Sequence, residues 1–266
     1  MIPKNPNIKK YIQYTKAVSK IDIDRLESNP LRLLDTKNKD LQKVLRNAPV
    51  LTDFLPKNSL DLLNQTRGII SMGGDHTIAF PLLRAVNKIN EGPVALVHFD
   101  AHLDTWDTYM GAPFTHGTPF RRAREEGLFL DDASMHVGIR GPLYSRDDLK
   151  NDESFGFKII HCDEFQTEGI DKIVSRIKKR VGNNPLYLSI DIDVLDPAFA
   201  PGTGTPEIAG MSTREMVNVI RGLSGLKLIS ADVVEVSPAY DHAEVTSLAA
   251  ATIIYELTNL FAKVKG

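Results

Sequence analysis

The stretch "VALVHFDAHLDT", residues 94–105, opens on four apolar residues, Val94, Ala95, Leu96 and Val97, and closes on Asp100, His102 and Asp104 at alternating positions. A short apolar, β-branched run of this kind is read as a strand buried on both faces of a parallel sheet. Its acids come at the C-terminal end, outside which open α/β sheets bind their ligands. On an extended chain residues i, i+2 and i+4 share a face, so the three side chains are expected to meet in one space. Three ionisable groups in one space repel or desolvate one another unless a positive charge sits among them, and a metal ion supplies it. Taken alone, the motif also reads as a solvated loop in which Asp104 caps a turn.

The pattern recurs. "PLYLSIDIDVLDP", residues 185–197, is a second apolar run, ending in Asp191 and Asp193. "GIISMGGDHT", residues 68–77, ends in a Gly-Gly turn that delivers His76 to the start of a helix. "LISADVVEVSP", residues 228–238, brings Glu235 to a strand end just before a proline. Strand-like runs at 69–72, 94–99, 135–139, 157–161, 186–191 and 228–235 alternate with helix-like stretches such as "IAFPLLRAVNKI", "GIDKIVSRIKKRV" and "TREMVNVIRGL". The chain closes on "HAEVTSLAAATIIYELTNLFAKV", read as one long helix with an apolar face on the sheet. Such alternation predicts an α/β fold with a mostly parallel central sheet and helices on its faces.

At 266 residues one domain, 1–266, is expected. Residues 1–66 form an atypical N-terminal segment, rich in Lys, Asn and Leu, with helical spacing in "DLQKVLRNA" and "SLDLLNQ" and no clear buried strand. Basic and acidic residues nearly cancel, 32 against 34, which argues against a nucleic-acid partner needing a strongly basic face. The single cysteine, Cys162, excludes an internal disulfide and reads as a small core residue, consistent with a reducing, cytoplasmic setting. No signal-type apolar core opens the chain and no stretch is read as a membrane span.

The strand ends thus collect His76, Asp100, His102, Asp104, Asp191 and Asp193. Six ligands exceed what one catalytic zinc with an open position takes, and an oxygen-rich set with imidazole suits Mn²⁺ or a similar ion. Two ions sharing bridging carboxylates is the expected arrangement, and such a pair lowers the pKa of a water held between them. Two divalent cations against four carboxylates and a hydroxide leave a net charge of about −1 in a poorly hydrated site. Glu235 adds to it, so a small cationic guest such as a guanidinium is expected rather than a phosphate.

The segments "GGDHT", "HFDAHLDT", "HGTPF" and "SIDIDVLDPAFAPGTGTPE" together resemble the ureohydrolases, the arginase and agmatinase superfamily, over residues 68 to the end. The resemblance implies a three-layer α/β/α sandwich, a parallel sheet usually of eight strands, and two Mn²⁺ ions per subunit. It would place one ion on His76, Asp100, Asp104 and Asp191 and the other on Asp100, His102, Asp191 and Asp193, with Asp100 and Asp191 bridging. It implies hydrolysis of a guanidinium to urea and an amine by attack of hydroxide on the guanidinium carbon. Asp104 would pass a proton to the departing amine. Glu235 would bind the guanidinium, and His116 in "THGTPF" would shuttle protons at the rim. A homotrimer or homohexamer is implied as well. Read without the resemblance, His116 is a locally bonded loop histidine and Glu235 a buried acid paired with an arginine.

Arginases carry an Asn- and Ser-bearing loop for the amino-acid head group, whereas the interval here reads "TWDTYMGAPFTHG". Agmatine, cleaved to putrescine and urea, is therefore placed first, with a guanidino acid such as 4-guanidinobutyrate second and arginine third. Asp107 would meet the ammonium of agmatine, or is simply solvated. Arg121 and Arg122 would meet a carboxylate tail, although "FRRAREEG" reads more readily as an exposed helix with paired charges. A glycine- and proline-containing loop of the family's "RPGA" type is not found in residues 1–66, so this segment is either truncated or rebuilt. Two other classes stay open: a two-metal phosphoesterase, disfavoured by Glu235, and a non-catalytic metal-binding relative, disfavoured by the complete ligand set.

Overall fold

The computed structural model describes residues 68–263. All five residues of β2 (Ala95–Phe99) are buried, and neighbours pair with both of its edges. The remaining strands are β1 (Ile69–Met72), β3 (Met135–Ile139), β4 (Lys158–His161), β5 (Pro185–Asp191) and β6 (Lys227–Val234). They form one sheet in the order β1-β6-β5-β2-β3-β4, parallel throughout. Six strands stand among the described residues, two fewer than the eight the resemblance implies. The helical readings at "DLQKVLRNA" and "SLDLLNQ" lie outside the described residues.

The helices are α1 (Ala79–Asn90), α2 (Pro119–Glu125), α3 (Asp148–Ser154), α4 (Glu164–Glu168), α5 (Ile170–Val181), α6 (Thr213–Gly222) and α7 (Val245–Lys263). They divide between the two faces. Ala95, Val97 and Phe99 share a core with Ile173 and Ile177 of α5, Val219 and Ile220 of α6, and Ile253 and Leu257 of α7. Leu96, which points the other way, lies with Leu83 and Val86 of α1 and Phe120 of α2. Helices on both sides explain why the β2 run is continuously apolar instead of alternating. The result is the expected three-layer α/β/α sandwich. α5 shows the matching helical logic: Ile173, Val174, Ile177 and Val181 are buried, while Lys172, Ser175 and Lys179 are exposed.

Two readings of the C-terminal helix are revised. Ala243 and Glu244 adopt left-handed φ values of 55° and 58°, so the long helix starts at Val245, after a kinked 3-10 turn at His242–Glu244. By length and composition the segment His242–Ala262, mean hydropathy 1.3, could cross a membrane, which the sequence reading passed over. Its place in the fold argues for a core helix: Ile253, Leu257 and Leu260 enter the core and Glu256 forms an ion pair with Arg221 of α6 at 2.6 Å.

The chain runs from β2 outward to β3 and β4, then returns to the other side of β2 for β5 and continues outward to β6. A crevice opens between β2 and β5, where the winding reverses, and ligands of doubly wound sheets bind in such crevices. The strands carrying Asp100 and Asp191 are the two that flank it.

α6 opens on a capping box in which the Ser212 hydroxyl accepts from Glu215 N–H and the Glu215 carboxylate accepts from Ser212 N–H. Ser212→Ala is expected to lower stability by about 0.5–2 kcal/mol, read from the urea midpoint, and Ser212→Asp to recover most of it. An unchanged midpoint in the alanine variant would show that the box contributes nothing.

Candidate active site

The acids converge through turns rather than through strand alternation. β2 ends at Phe99, and the residues after it leave the extended conformation: Asp100 Oδ1 accepts the His102 N–H at 2.6 Å, and Asp104 takes a left-handed φ of 55°. After β5 the same device recurs, with Asp193 N–H bonded to Asp191 Oδ1 at 2.9 Å inside a 3-10 turn, Ile192–Val194. The two turns are tied together by the Ala101 N–H, which donates to Asp193 Oδ1 at 3.1 Å. Aspartate side chains favour such local bonds to the backbone two residues on. His76 arrives at the first position of a 3-10 turn, His76–Ile78, that leads into α1.

All six expected ligands meet. His76 Nδ1 lies 3.0 Å from Asp104 Oδ2, 3.3 Å from Asp191 Oδ2 and 3.5 Å from Asp100 Oδ2. His102 Nδ1 lies 3.0 Å from Asp193 Oδ2 and 3.3 Å from Asp100 Oδ1. The two oxygens of Asp100 therefore face different histidines, which is what a carboxylate shared by two ions requires. His76 Nδ1 is buried and has no properly directed hydrogen-bond partner although three carboxylate oxygens surround it. Donor atoms around one six-coordinate ion with bonds of about 2.1 Å stand about 3 Å apart. The donor set thus fits divalent cations in both chemistry and spacing.

Electrostatics lead to the same point. Burial opposes charge on His76, yet the carboxylates of Asp100, Asp104 and Asp191 around it hold its pKa well above the ordinary value. Burial likewise works against His102, and Asp100 and Asp193 still push it up to about 12. Burial and the charge of Asp100 raise Asp193 to about 6, and burial with the charges of Asp193 and Asp100 holds Asp191 well above the ordinary range. Protons occupy the cluster where cations would otherwise sit.

Above the cluster lies a cavity of about 200 Å³. Asp104, Asp191, Glu207 and Glu235 supply its acids, and Trp106, Tyr109 and Tyr144 part of its wall. Among the described residues lining it there is no lysine or arginine. Glu235 follows β6 in a left-handed conformation, φ 64°, and its Oε1 accepts the His76 N–H at 2.6 Å. Burial and the nearby Asp75 hold its carboxyl well above the ordinary range. Among the described residues no arginine pairs with it. His116 lines the same cavity with its ring edge-on to Tyr109 at 4.8 Å. Asp107 is not brought to the cavity: its carboxylate is exposed and accepts from Arg122 Nη2 at 2.6 Å. Arg121 pairs with Glu125 one turn along α2, and Arg122 also reaches Glu125, as the exposed-helix reading expected.

Several neighbours were not picked out from sequence. His98 could be counted with the ligands by position. Both of its nitrogens are engaged, however, Nε2 with Asp100 Oδ2 at 2.7 Å and Nδ1 with His136 Nδ1 at 2.8 Å, and burial lowers its pKa to about 3, so the ring is neutral. Strand parity alone would have found it, two residues before Asp100. Ser189 bonds His76 Nε2 at 2.8 Å, and its hydroxyl donates to Asp232 Oδ1 at 2.7 Å. Glu207 Oε1 stands 3.6 Å from His102 Nε2. Arg140 donates to six carbonyl oxygens, those of Gly138, Asp193, Val194, Leu195, Glu207 and Ile208, at 2.7–3.3 Å. Carbonyl partners leave no sequence signature, and long-range contacts such as Ser189 with Asp232 depend on strand order.

The model of the Arginase family matches residues 8–259, which reaches well upstream of the first motif at Gly68. A provisionally named agmatinase of Schizosaccharomyces pombe is 51% identical over 73% of this chain and 51% of its own length. The guanidinopropionase of Pseudomonas aeruginosa is 46% identical over 78% of this chain and 70% of its own. The proclavaminate amidino hydrolase of Streptomyces clavuligerus superposes with a TM-score of 0.77 at 40% identity, covering 80% of this chain and 71% of that one. The chain thus spans about half the length of the S. pombe relative.

Because divalent ions compete with protons for these groups, Mn²⁺ uptake is expected to release protons. Affinity should rise as pH rises through about 6, where Asp193 gives up its proton. Calorimetry in two buffers of different ionisation enthalpy reads both effects; binding without proton release and without pH dependence would contradict the assignment.

Proposed function

The chain belongs to the arginase family, and from that premise we propose that it hydrolyses agmatine to putrescine and urea. The observation that carries the choice of substrate is the cavity, which offers four carboxylates and three aromatic rings and, among its described lining, no cationic side chain. A guanidinium with a second positive charge on its tail suits those walls. A guanidino acid would need a cation for its carboxylate, and Arg121 and Arg122 are paired elsewhere on α2.

His76, Asp100, Asp104 and Asp191 would hold one divalent ion, and Asp100, His102, Asp191 and Asp193 the other. Two such ions, Mn²⁺ by ligand type, supply a hydroxide near neutral pH. Glu235 is anchored through Oε1 by the His76 N–H, which leaves Oε2 for the guest. A guanidinium stays protonated throughout the working range, so its arrival draws out the ionised form of this carboxyl. Asp104 faces the cavity on one side and His76 on the other, placed to take up a proton and return it to the amine that departs. His116 lies at the cavity wall as the group to exchange protons with solvent. Faces of Trp106, Tyr109 and Tyr144 attract an ammonium through their ring quadrupoles, with Glu207 adding charge. The reading includes a homotrimer or homohexamer in the cytoplasm, the latter supported by the buried free thiol of Cys162.

Urea release measured in parallel from agmatine, 4-guanidinobutyrate and arginine, with Mn²⁺ and with a chelator, tests this. Metal-dependent urea from agmatine is expected. Preference for the guanidino acid would move the assignment toward relatives such as the guanidinopropionase, and no urea from any of the three would favour a metal-binding relative without catalysis. Glu235→Gln should lower kcat/KM for agmatine by about 10- to 100-fold, the equivalent of one lost charge-assisted bond. Asp193→Ala should abolish turnover, and full activity in that variant would sink the two-ion centre.

A further inference from the structure

We propose that His136 is a positioning residue for the metal centre, acting through His98 to fix the orientation of the Asp100 carboxylate. Asp100, His98, His136 and the neighbouring Asp152 are completely or almost completely buried and form one line. It runs from Asp100 Oδ2 to His98 Nε2 (2.7 Å), from His98 Nδ1 to His136 Nδ1 (2.8 Å), and from His136 Nε2 to Asp152 Oδ2 (3.3 Å). His136 Nε2 and Asp152 Oδ2 approach each other without a properly directed hydrogen bond, while Asp152 Oδ1 accepts the Thr105 hydroxyl at 2.5 Å. His98 and His136 are register partners on β2 and β3, so the sheet itself sets their approach.

Proton counting gives the line a direction. Asp100 is an acceptor, so His98 Nε2 must carry hydrogen. A neutral imidazole has only one, so His98 Nδ1 accepts and His136 Nδ1 must donate. The opposite nitrogen of His136, Nε2, faces Asp152. Without the His136 donor, His98 Nδ1 loses its partner and the ring loses the contact that fixes its plane, and with it the direction of the Nε2–H that holds the Asp100 carboxylate both histidine ligands face. A partner that holds a ligand's tautomer and orientation in this way typically changes metal affinity by about 10- to 100-fold when removed.

The proposal rests on the two-ion reading, and its test separates the two. In the metal-free protein, long-range ¹H–¹⁵N correlations should show His98 as the Nε2–H tautomer and a proton on Nδ1 of His136. The opposite assignment in the wild type overturns the proposal without any variant having to fold. His136→Phe keeps a ring against Phe157, whose centroid lies 3.9 Å away, but has no donor. In this variant the His98 Nε2–H should persist, because Asp100 still accepts it, but the ¹⁵N shift of His98 Nδ1 should move toward that of an unbonded lone pair, and Mn²⁺ should bind about 10- to 100-fold more weakly. His136→Gln, whose amide can donate to His98, should restore both readouts to within about threefold. A wild-type Nδ1 shift and wild-type affinity in His136→Phe would overturn the proposal alone, whereas a wild type that takes up no Mn²⁺ would overturn the two-ion reading beneath it.

Discussion

Four carboxylates enclosed within a few ångströms of one another are the constraint on which the rest of this molecule depends. Burial of Asp100, Asp104, Asp191 and Asp193 takes them out of water, where an isolated ionised carboxylate is strongly disfavoured. The fold answers in layers. His76 and His102 stand between the acids, backbone N–H groups of Ala101, His102 and Asp193 donate into them, and His98 braces Asp100 from behind. Even so, Asp191 and Asp193 retain protons more firmly than free carboxyls do. Divalent cations held there would complete what the protein alone leaves underneutralised.

The sheet was legible because its strands are buried on both faces and leave continuous apolar runs. β3 at Met135–Ile139 coincides with the run read from sequence, and β2 and β5 differ from theirs by one residue at the start. The six ligand residues were legible for a related reason: charged side chains placed directly after apolar strands have few purposes. What aligned them was misread. Asp100, His102 and Asp104 look like strand alternation, but aspartate-capped turns bring them together, and turn geometry depends on φ values that residue types only hint at.

Other features depend on partners that the chain order does not reveal. His136 is one histidine inside an apolar strand until β3 is laid beside β2, whereupon it faces His98 in register. Asp107 and Arg122 are 15 residues apart and read as candidates for opposite substrates; folded, they satisfy each other outside the cavity. The left-handed backbones of Asp104 and Glu235 place strain at two acids that line the cavity, and strained conformations of non-glycine residues gather at functional sites.

Arg140 gives the site a second kind of guanidinium environment. Its head is held by neutral carbonyls, including that of Asp193, directly beneath the aspartates. Under the function proposed for it, the molecule opens guanidinium groups and keeps one of its own beside its candidate metal ligands. Six carbonyl oxygens take up its N–H groups, so it is locked as scaffold, whereas a guanidinium guest would meet the carboxylates of Glu207 and Glu235 and the rings of Trp106, Tyr109 and Tyr144. Self and substrate would then be told apart by what surrounds the same chemical group, not by the group itself.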